Sequence, residues 1–186
     1  IQLGVPIAIN IENSIAAMTV ATLIGLSLEE IKQGIESYQG VDRRFDFQIK
    51  TPDLVFLNDY AHHPAEVRQS ISSIKQLYPN KKITGIFQPH LYSRTQSFYK
   101  EFAESLSLLD KVILLDIYPA REEPIEGVSS RLIYEALNPA TEKTLIKKED
   151  LLDAIAKEPI EVLITLGAGD IDAFVPKITN ILTNRL

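Results

Sequence analysis

Two short runs concentrate the residues able to do chemistry. Asn58-Asp-Tyr-Ala-His-His-Pro-Ala-Glu66 and Gln88-Pro-His-Leu-Tyr-Ser-Arg-Thr95 hold all 3 histidines of the chain, with Asp59, Tyr60 and Arg94 beside them. Imidazoles hold or move protons near neutral pH, and a guanidinium grips a carboxylate or phosphate through paired hydrogen bonds. The combination suits an anionic substrate. Arg94 stands near the start of a helical segment whose free amides also favour an anion; the competing reading is a surface arginine in a salt bridge. His62 and His63 are adjacent, so only one is expected to face a ligand. His62 is favoured, because His63 precedes Pro64 and is placed to cap a helix. Imidazoles with Asp59 would suit zinc or iron in kind, but no ligand spacing such as His-x-x-x-His accompanies them, and no metal site is expected.

Each run follows an apolar, β-branched stretch, 54–57 and 83–87, and precedes a segment of helical periodicity. Each is therefore expected to be the loop leaving a strand's carboxyl end, where open α/β sheets bind ligands. Two further loops fall in equivalent places, 118–123 and 167–170. The first belongs to a long polar stretch from Asp116 to Gly127, and loops of such length tend to be functional. Gly167-Ala-Gly169 has part of a dinucleotide-type glycine turn. Asp172 replaces the third glycine, however, and the turn follows the last strand where the fingerprint requires the first. A tight turn with Asp170 capping the next helix is the competing reading. No G-x-x-x-x-G-K-[ST] run occurs, so the chain has no P-loop of its own.

The elements that must position these loops follow from pattern. Residues 1–10, with Gly4 and Pro6, are too broken for a helix. From Ser14 the residues are apolar or small almost all the way round, which predicts a buried helix ending at Gly25. Asn10 and Asn13 stand at its entrance; capping accounts for one, and the other suits a purine edge as well as it suits structure. Ser27 and Glu30 form a capping box for a second helix that ends at Gly40. A domain boundary is expected near 40–42, separating residues 1–41 from 42–186, with Arg43 and Arg44 in the link, one reaching phosphate and the other water. Strands are expected over 45–50, 54–57, 82–87, 111–115, 143–146 and 161–166. The short turn at 51–53 makes the first antiparallel. Helices through Val67 to Leu77, Phe98 to Leu106 (opened by a Ser93–Gln96 capping box), Ser130 to Leu137, Glu149 to Ala156 and Phe174 to Ile181 alternate with them. The fold class is α/β: a Rossmann-like, mostly parallel sheet of about six strands with one antiparallel strand, helices on both faces, preceded by a short helical segment.

Composition narrows the classes. A net charge of −6 with scattered Lys and Arg argues against a nucleic-acid or anionic-membrane surface. The absence of cysteine removes disulfides and thiol chemistry and fits a reducing compartment. No apolar run approaches the roughly 20 residues of a membrane span. The chain opens at Ile1, without Met and without a charged region leading an apolar one; no signal peptide is expected, and the sequence reads as a piece of something longer.

Taken in order, Asn10-x-x-Asn13 with Ala16-Ala17, Gly40-Val-Asp-Arg-Arg-Phe45, Asn58-Asp-Tyr-Ala-His-His-Pro64, Gln88-Pro-His-Leu-Tyr-Ser-Arg-Thr95, Asp116-Ile-Tyr-Pro-Ala120 and Gly167-Ala-Gly-Asp170 resemble the Mur ligases. The resemblance implies a cytoplasmic, ATP- and Mg²⁺-dependent amide-forming ligase of peptidoglycan synthesis acting through an acyl phosphate. Residues 1–41 would be the tail of the central ATP-binding domain and 42–186 the C-terminal Rossmann-like domain, with the other domains of the same chain as partners. Gln-Pro-His-x-Tyr-Ser-Arg is most similar to the branch that joins L-alanine to UDP-N-acetylmuramate. The branch that attaches a tripeptide to the same sugar nucleotide, and a non-catalytic nucleotide- or phosphosugar-binding module, are the alternatives. By resemblance, Asn10 and Asn13 contact the adenine side of ATP, Arg44 its phosphates, and Asp59 with Tyr60 its ribose and phosphates. His62, His90 and Arg94 face the amino-acid and muramoyl substrates, with His62 and Arg94 the catalytic pair, while most Mg²⁺ ligands lie elsewhere. Two departures stand out. Ile9 replaces a usual His, which weakens the adenine contact, and Leu91 replaces a frequent Arg, which leaves more of the anion binding to Arg94.

Overall fold

The computed structural model describes Ile1 and residues 3–185. They form two compact units, one ending at Asp42 and the other beginning at Arg43.

The first unit is a pair of helices, α1 (Ala8–Leu23) and α2 (Leu28–Ser37). The helix expected from Ser14 begins earlier, because Gly4 and Pro6 lie upstream of its first turn and do not interrupt it. Ile7 is its N-cap and no side chain caps it, so neither asparagine has that role; Asn10 Nδ2 donates instead to the Val5 carbonyl at 3.0 Å. Its end is a Schellman turn: Gly25, at φ 89°, donates to the Thr22 carbonyl and Leu26 to that of Ala21, both at 3.1 Å. The Ser27–Glu30 capping box is formed, with Ser27 N donating to Glu30 Oε2 at 2.8 Å and Glu30 N to Ser27 Oγ at 3.3 Å. The burial expected of α1 is not found. None of its residues is buried, and Ile15, Val20 and Leu23 are 54%, 58% and 81% exposed. A helix apolar all round needs neighbours on every side, and this unit supplies only α2.

The second unit contains β1 (Asp46–Lys50), β2 (Val55–Asp59), α3 (Pro64–Leu77), β3 (Ile83–Phe87), α4 (Tyr92–Leu106), β4 (Lys111–Leu114), α5 (Arg131–Ala136), β5 (Glu142–Leu145), α6 (Leu151–Lys157), β6 (Val162–Leu166) and α7 (Val175–Thr183). Pro64 opens α3, where its missing N–H costs nothing. The six strands are ordered β1-β2-β6-β3-β4-β5, with β1 antiparallel to β2 and every other pair parallel. Strands β2, β3 and β6 are buried at every position, as central parallel strands covered on both faces must be. Phe56, Ile86, Ile113 and Leu163 pack with Leu151 and Ile155 of α6 and Ile178 and Leu182 of α7 in one core layer. Helices α3, α4 and α5 pack successively against one another, and the Phe87 and Phe102 rings meet with centroids 5.1 Å apart.

The order of the strands builds the site. The chain leaves β2 and β3 through α3 and α4, runs outward to β5, and returns to insert β6 between β2 and β3. Asp59, Leu166 and Phe87 are therefore in register across three adjacent carboxyl ends. The residues that follow are stitched together: Gly167 N donates to the Asp59 carbonyl at 3.2 Å and Gln88 N to that of Leu166 at 3.1 Å.

Two local expectations are corrected. Asn58 and Asp59 belong to β2 itself, because the β2–β6 ladder continues through them. The Ser93–Gln96 capping box does not form, since α4 begins two residues earlier than that box requires, with Leu91 as its N-cap; Ser93 turns its hydroxyl to Glu122 instead.

Candidate functional site at the carboxyl edge of the sheet

Asp59 closes β2 and is 7% exposed. Its two oxygens accept from Ala61 N at 2.9 Å and Ser70 Oγ at 2.8 Å. Burial pushes its carboxyl above the usual range, opposed by the Ser70 hydroxyl, the Ala61 amide and the Arg44 charge. An acid whose folded value is raised costs stability as pH climbs past its unfolded value, so at neutral pH this charge works against the fold. Asp59→Asn keeps an acceptor for Ala61. It is expected to raise the unfolding free energy by on the order of 1 kcal/mol at pH 7, an advantage that vanishes in acid where both side chains are neutral. Denaturant melts at pH 7 and below pH 4 test this, and a less stable variant at pH 7 would show that the hydrogen bonds need the charge.

Tyr60 projects next, beneath two arginines. The Arg43 guanidinium lies 4.7 Å and that of Arg44 5.2 Å from the ring centre, and Tyr60 N donates to the Arg43 carbonyl at 2.7 Å. Arg43 is only partly exposed. Its Nε is 3.1 Å from Asp172 Oδ1, and that oxygen accepts from Asn58 Nδ2 at 3.0 Å. Asn58 Oδ1 accepts in turn from buried Thr165 at 2.8 Å. Two buried nitrogens of Arg43, Nε and Nη2, lack a hydrogen bond of acceptable geometry. Arg44 is exposed.

His62 is half-buried, with Nδ1 2.9 Å from the Tyr60 carbonyl. A carbonyl can only accept, so Nδ1 carries the proton and Nε2 is the free nitrogen. Glu66 Oε2 accepts from the His62 and His63 amides at 3.0 and 3.2 Å, fixing the turn. His63 is exposed and lies against Phe98, with ring centroids 5.1 Å apart. His90 enters from the loop after β3, its ring centre 6.0 Å from that of His62 and stacked on Tyr118 at 5.6 Å. Burial lowers its pKa, Arg94 and His62 push the same way and Glu122 opposes them, so the ring is neutral at neutral pH. Its Nδ1 is buried without a hydrogen-bond partner. Arg94, in the first turn of α4, donates to the His62 carbonyl at 3.4 Å, and among the described residues no carboxylate forms an ion pair with it.

The fourth loop is packed against its own chain. Gln88 Nε2 donates to Asp170 Oδ1 at 2.7 Å and Gln88 Oε1 accepts from Ile171 N at 3.0 Å, while Lys148 Nζ holds the other Asp170 oxygen at 2.5 Å. Asp170 therefore caps no helix. A Cβ on Gly169 would lie 2.4 Å from Gln88 Oε1 and 2.7 Å from Tyr118 Cβ, so glycine is required here for packing rather than for phosphate approach. Among the described residues no three His, Asp or Glu side chains converge as a metal site would need.

Within the first unit, Asn10 and Asn13 line a cavity of about 300 Å³ with Val5, Ala17, Ile35 and Tyr38. The sequence-predicted residues thus divide between the units: these two in the first, and Arg44, Asp59, Tyr60, His62, His90 and Arg94 in the second. Arg43, Asn58, Thr165, Asp172, Tyr118 and Glu122 were not singled out as site residues from sequence. The place of the 118–123 loop at a strand's carboxyl end and the length of the 116–127 stretch pointed toward Tyr118 and Glu122, and Arg43 was expected only as one of two link arginines; the Asn58–Asp172 bond joins residues 114 apart, and no periodicity encodes it.

A family model described as Mur ligase, glutamate ligase domain, matches residues 43–169, inside the second unit. The UDP-N-acetylmuramate–L-alanine ligase of Phocaeicola vulgatus is 63% identical over 185 residues, covering 100% of this chain and 40% of its own length. That of Parabacteroides distasonis is 55% identical over 186 residues, with the same coverage. The chain spans about 40% of the length of these curated relatives. Among solved structures, the UDP-N-acetylmuramate–alanine ligase of Thermotoga maritima matches with a TM-score of 0.80 and 26% identity, over 99% of this chain and 40% of its own. A murein peptide ligase from Psychrobacter arcticus, at TM-score 0.64 and 18% identity over 94% of this chain and 37% of its own, shares the fold. With the family model covering most of the chain and the sheet-edge residues in place, the chain belongs to the Mur ligase family.

Proposed function

We propose that this chain is the C-terminal part of a cytoplasmic, ATP-dependent ligase that joins L-alanine to the lactyl carboxylate of UDP-N-acetylmuramate in peptidoglycan synthesis. The observation that carries this reading is the 63% identity, over the full chain, to the Phocaeicola vulgatus enzyme of that name. Residues 1–41 are then the tail of the central ATP-binding domain, and the exposed apolar surface of α1 is where the rest of that domain packs. Residues 42–186 are the C-terminal domain.

The residues present fit a nucleotide. Exposed Arg44 and the Tyr60 ring suit a polyphosphate and ribose, with Asp59 anchoring the turn. Within the first unit, taken by itself, the cavity beside Asn10 and Asn13 has room for a purine ring. His62, neutral His90 and Arg94 form a polar wall for the amino acid and the muramoyl carboxylate. ATP supplies the phosphoryl group that activates the carboxylate as an acyl phosphate. His62 Nε2 and Arg94 then orient the attacking amine and stabilise charge in the tetrahedral intermediate, work that rests on positioning and electrostatics. Mg²⁺ is held mainly by residues outside this chain.

The test is phosphate release by the full-length protein with ATP, Mg²⁺ and UDP-N-acetylmuramate. Release dependent on L-alanine is expected, with none from residues 1–186 alone. Release only with a tripeptide acceptor would assign the other branch of the family, and release with neither would leave a binding module.

A further inference from the structure

We infer that Glu122 is a positioning residue of the site: from the long loop after β4 its carboxylate caps α4 and thereby sets Arg94. The role in turnover rests on the function proposed above; the capping does not.

Helix α4 starts with none of the usual devices. Its N-cap, Leu91, carries a hydrocarbon side chain, makes no side-chain cap and stands at φ 74°, a conformation that branched residues rarely adopt. No acid occupies the first turn, and Arg94 does. The free amides there already carry partial positive charge, so a guanidinium among them is misplaced for helix stability. The end of α4 therefore calls for an anion on two counts.

Glu122 supplies it. One carboxylate oxygen accepts from Ser93 N at 3.0 Å and the other from Ser93 Oγ at 2.5 Å, across 29 residues of chain. The hydroxyl and then the amide of Ser93 hold its carboxyl below the usual range, with the Tyr92 amide adding to this, so it is ionised at neutral pH. The same loop is tied to the other side of the site: Leu91 N donates to the Tyr118 carbonyl at 2.9 Å, Tyr118 N to that of Pro89 at 2.8 Å, and Tyr118 stacks on His90.

The kink in α4 gives this cap its reach. Phe98, at φ −127° and ψ 15°, breaks the helix between residues 92–97 and the half bearing Phe102, Ala103, Ser105 and Leu106, all of them buried. The core fixes the second half directly. The first half, which carries Arg94, is bounded by the Phe98 break and by the positive φ of Leu91, and among the described residues its tertiary hydrogen bonds run to the 116–127 loop and to the His62 carbonyl. Glu122 thus carries the loop's position into that of the guanidinium through Ser93.

The experiment compares Glu122→Ala, Glu122→Gln and Ser93→Ala in the full-length protein, by steady-state kinetics and by amide hydrogen exchange over residues 89–99. Glu122→Ala is expected to speed exchange of the Tyr92 and Ser93 amides and to raise KM for L-alanine about tenfold, the scale of a modest misplacement of a binding group. KM for ATP is expected to stay unchanged, and the melting temperature to fall by no more than a few degrees, the loss of one helix cap. Ser93→Ala keeps the amide and Glu122→Gln keeps one acceptor oxygen, so both are expected to fall between. Unchanged exchange would overturn the capping. Faster exchange with no kinetic change, or with every KM moving alongside the melting temperature, would reduce Glu122 to an ordinary cap and overturn the positioning role. A wild-type protein that ignores L-alanine would sink the proposed function alone, and KM for the acceptor it does use then makes the same comparison.

Discussion

Replacing Arg94 by Ala in the full-length protein is expected to lower kcat/KM by about 30- to 1,000-fold, the loss of about 2 to 4 kcal/mol of transition-state stabilisation. The melting temperature should barely move. The guanidinium makes one long hydrogen bond, 3.4 Å to the His62 carbonyl, and it sits at the positive end of a helix, so the fold loses little without it. It stands beside a neutral His90 and the Tyr60–His62 turn, with no ion-pair partner among the described residues, which leaves its charge for a ligand. Arg94→Lys is expected to recover only part of the loss, because a point charge cannot reproduce the planar fork. Unchanged kcat/KM together with a lowered melting temperature would return Arg94 to the surface-residue reading.

Gly167→Ala is expected to destabilise the second unit by about 2 to 4 kcal/mol. Gly167 stands at φ 146°, and an added Cβ would lie 2.9 Å from the Gln88 carbonyl oxygen and 3.4 Å from Ile171 Cγ2. The near atom is backbone of β3's own exit loop and cannot swing aside. The Gly167 amide also donates to the Asp59 carbonyl, so any shift there opens the junction of β2, β6 and β3 that carries the site. Gly127→Ala is the control. Its φ of 77° carries the same kind of backbone penalty, but nothing lies within 4 Å of the new Cβ, and a loss of about 1 kcal/mol is expected. Denaturant melts of both variants separate strain from collision; equal losses would mean that the Gly167 contact relaxes.

Local pattern was enough for most elements. The apolar runs ending at Leu57, Phe87 and Leu166 could only be strands buried on both faces, and all three are buried throughout. Pro64 opens α3 because a residue without an N–H is tolerated where helices leave amides free. Ser27 and Glu30 close on each other because their partners are three residues apart. The same reasoning failed at Ser93, whose spacing to Gln96 is equally good. A carboxylate from the 116–127 loop took both of its donors, and the helix starts two residues earlier, with Leu91 as its N-cap.

Adjacent letters were enough to say which residues could form a site and that they would stand where strands end: His62, His90 and Arg94 each follow a strand whose burial their neighbours dictate. Tertiary structure alone decided that β6 lies between β2 and β3, that Arg43 pairs with Asp172 beside Asn58, that Tyr118 stacks on His90, and that α1 keeps an uncovered apolar surface. The physical reason is range. Helix periodicity, strand alternation and caps act over a few residues and are written in adjacent letters, whereas a buried donor chooses its acceptor only after the chain has been folded back beside it.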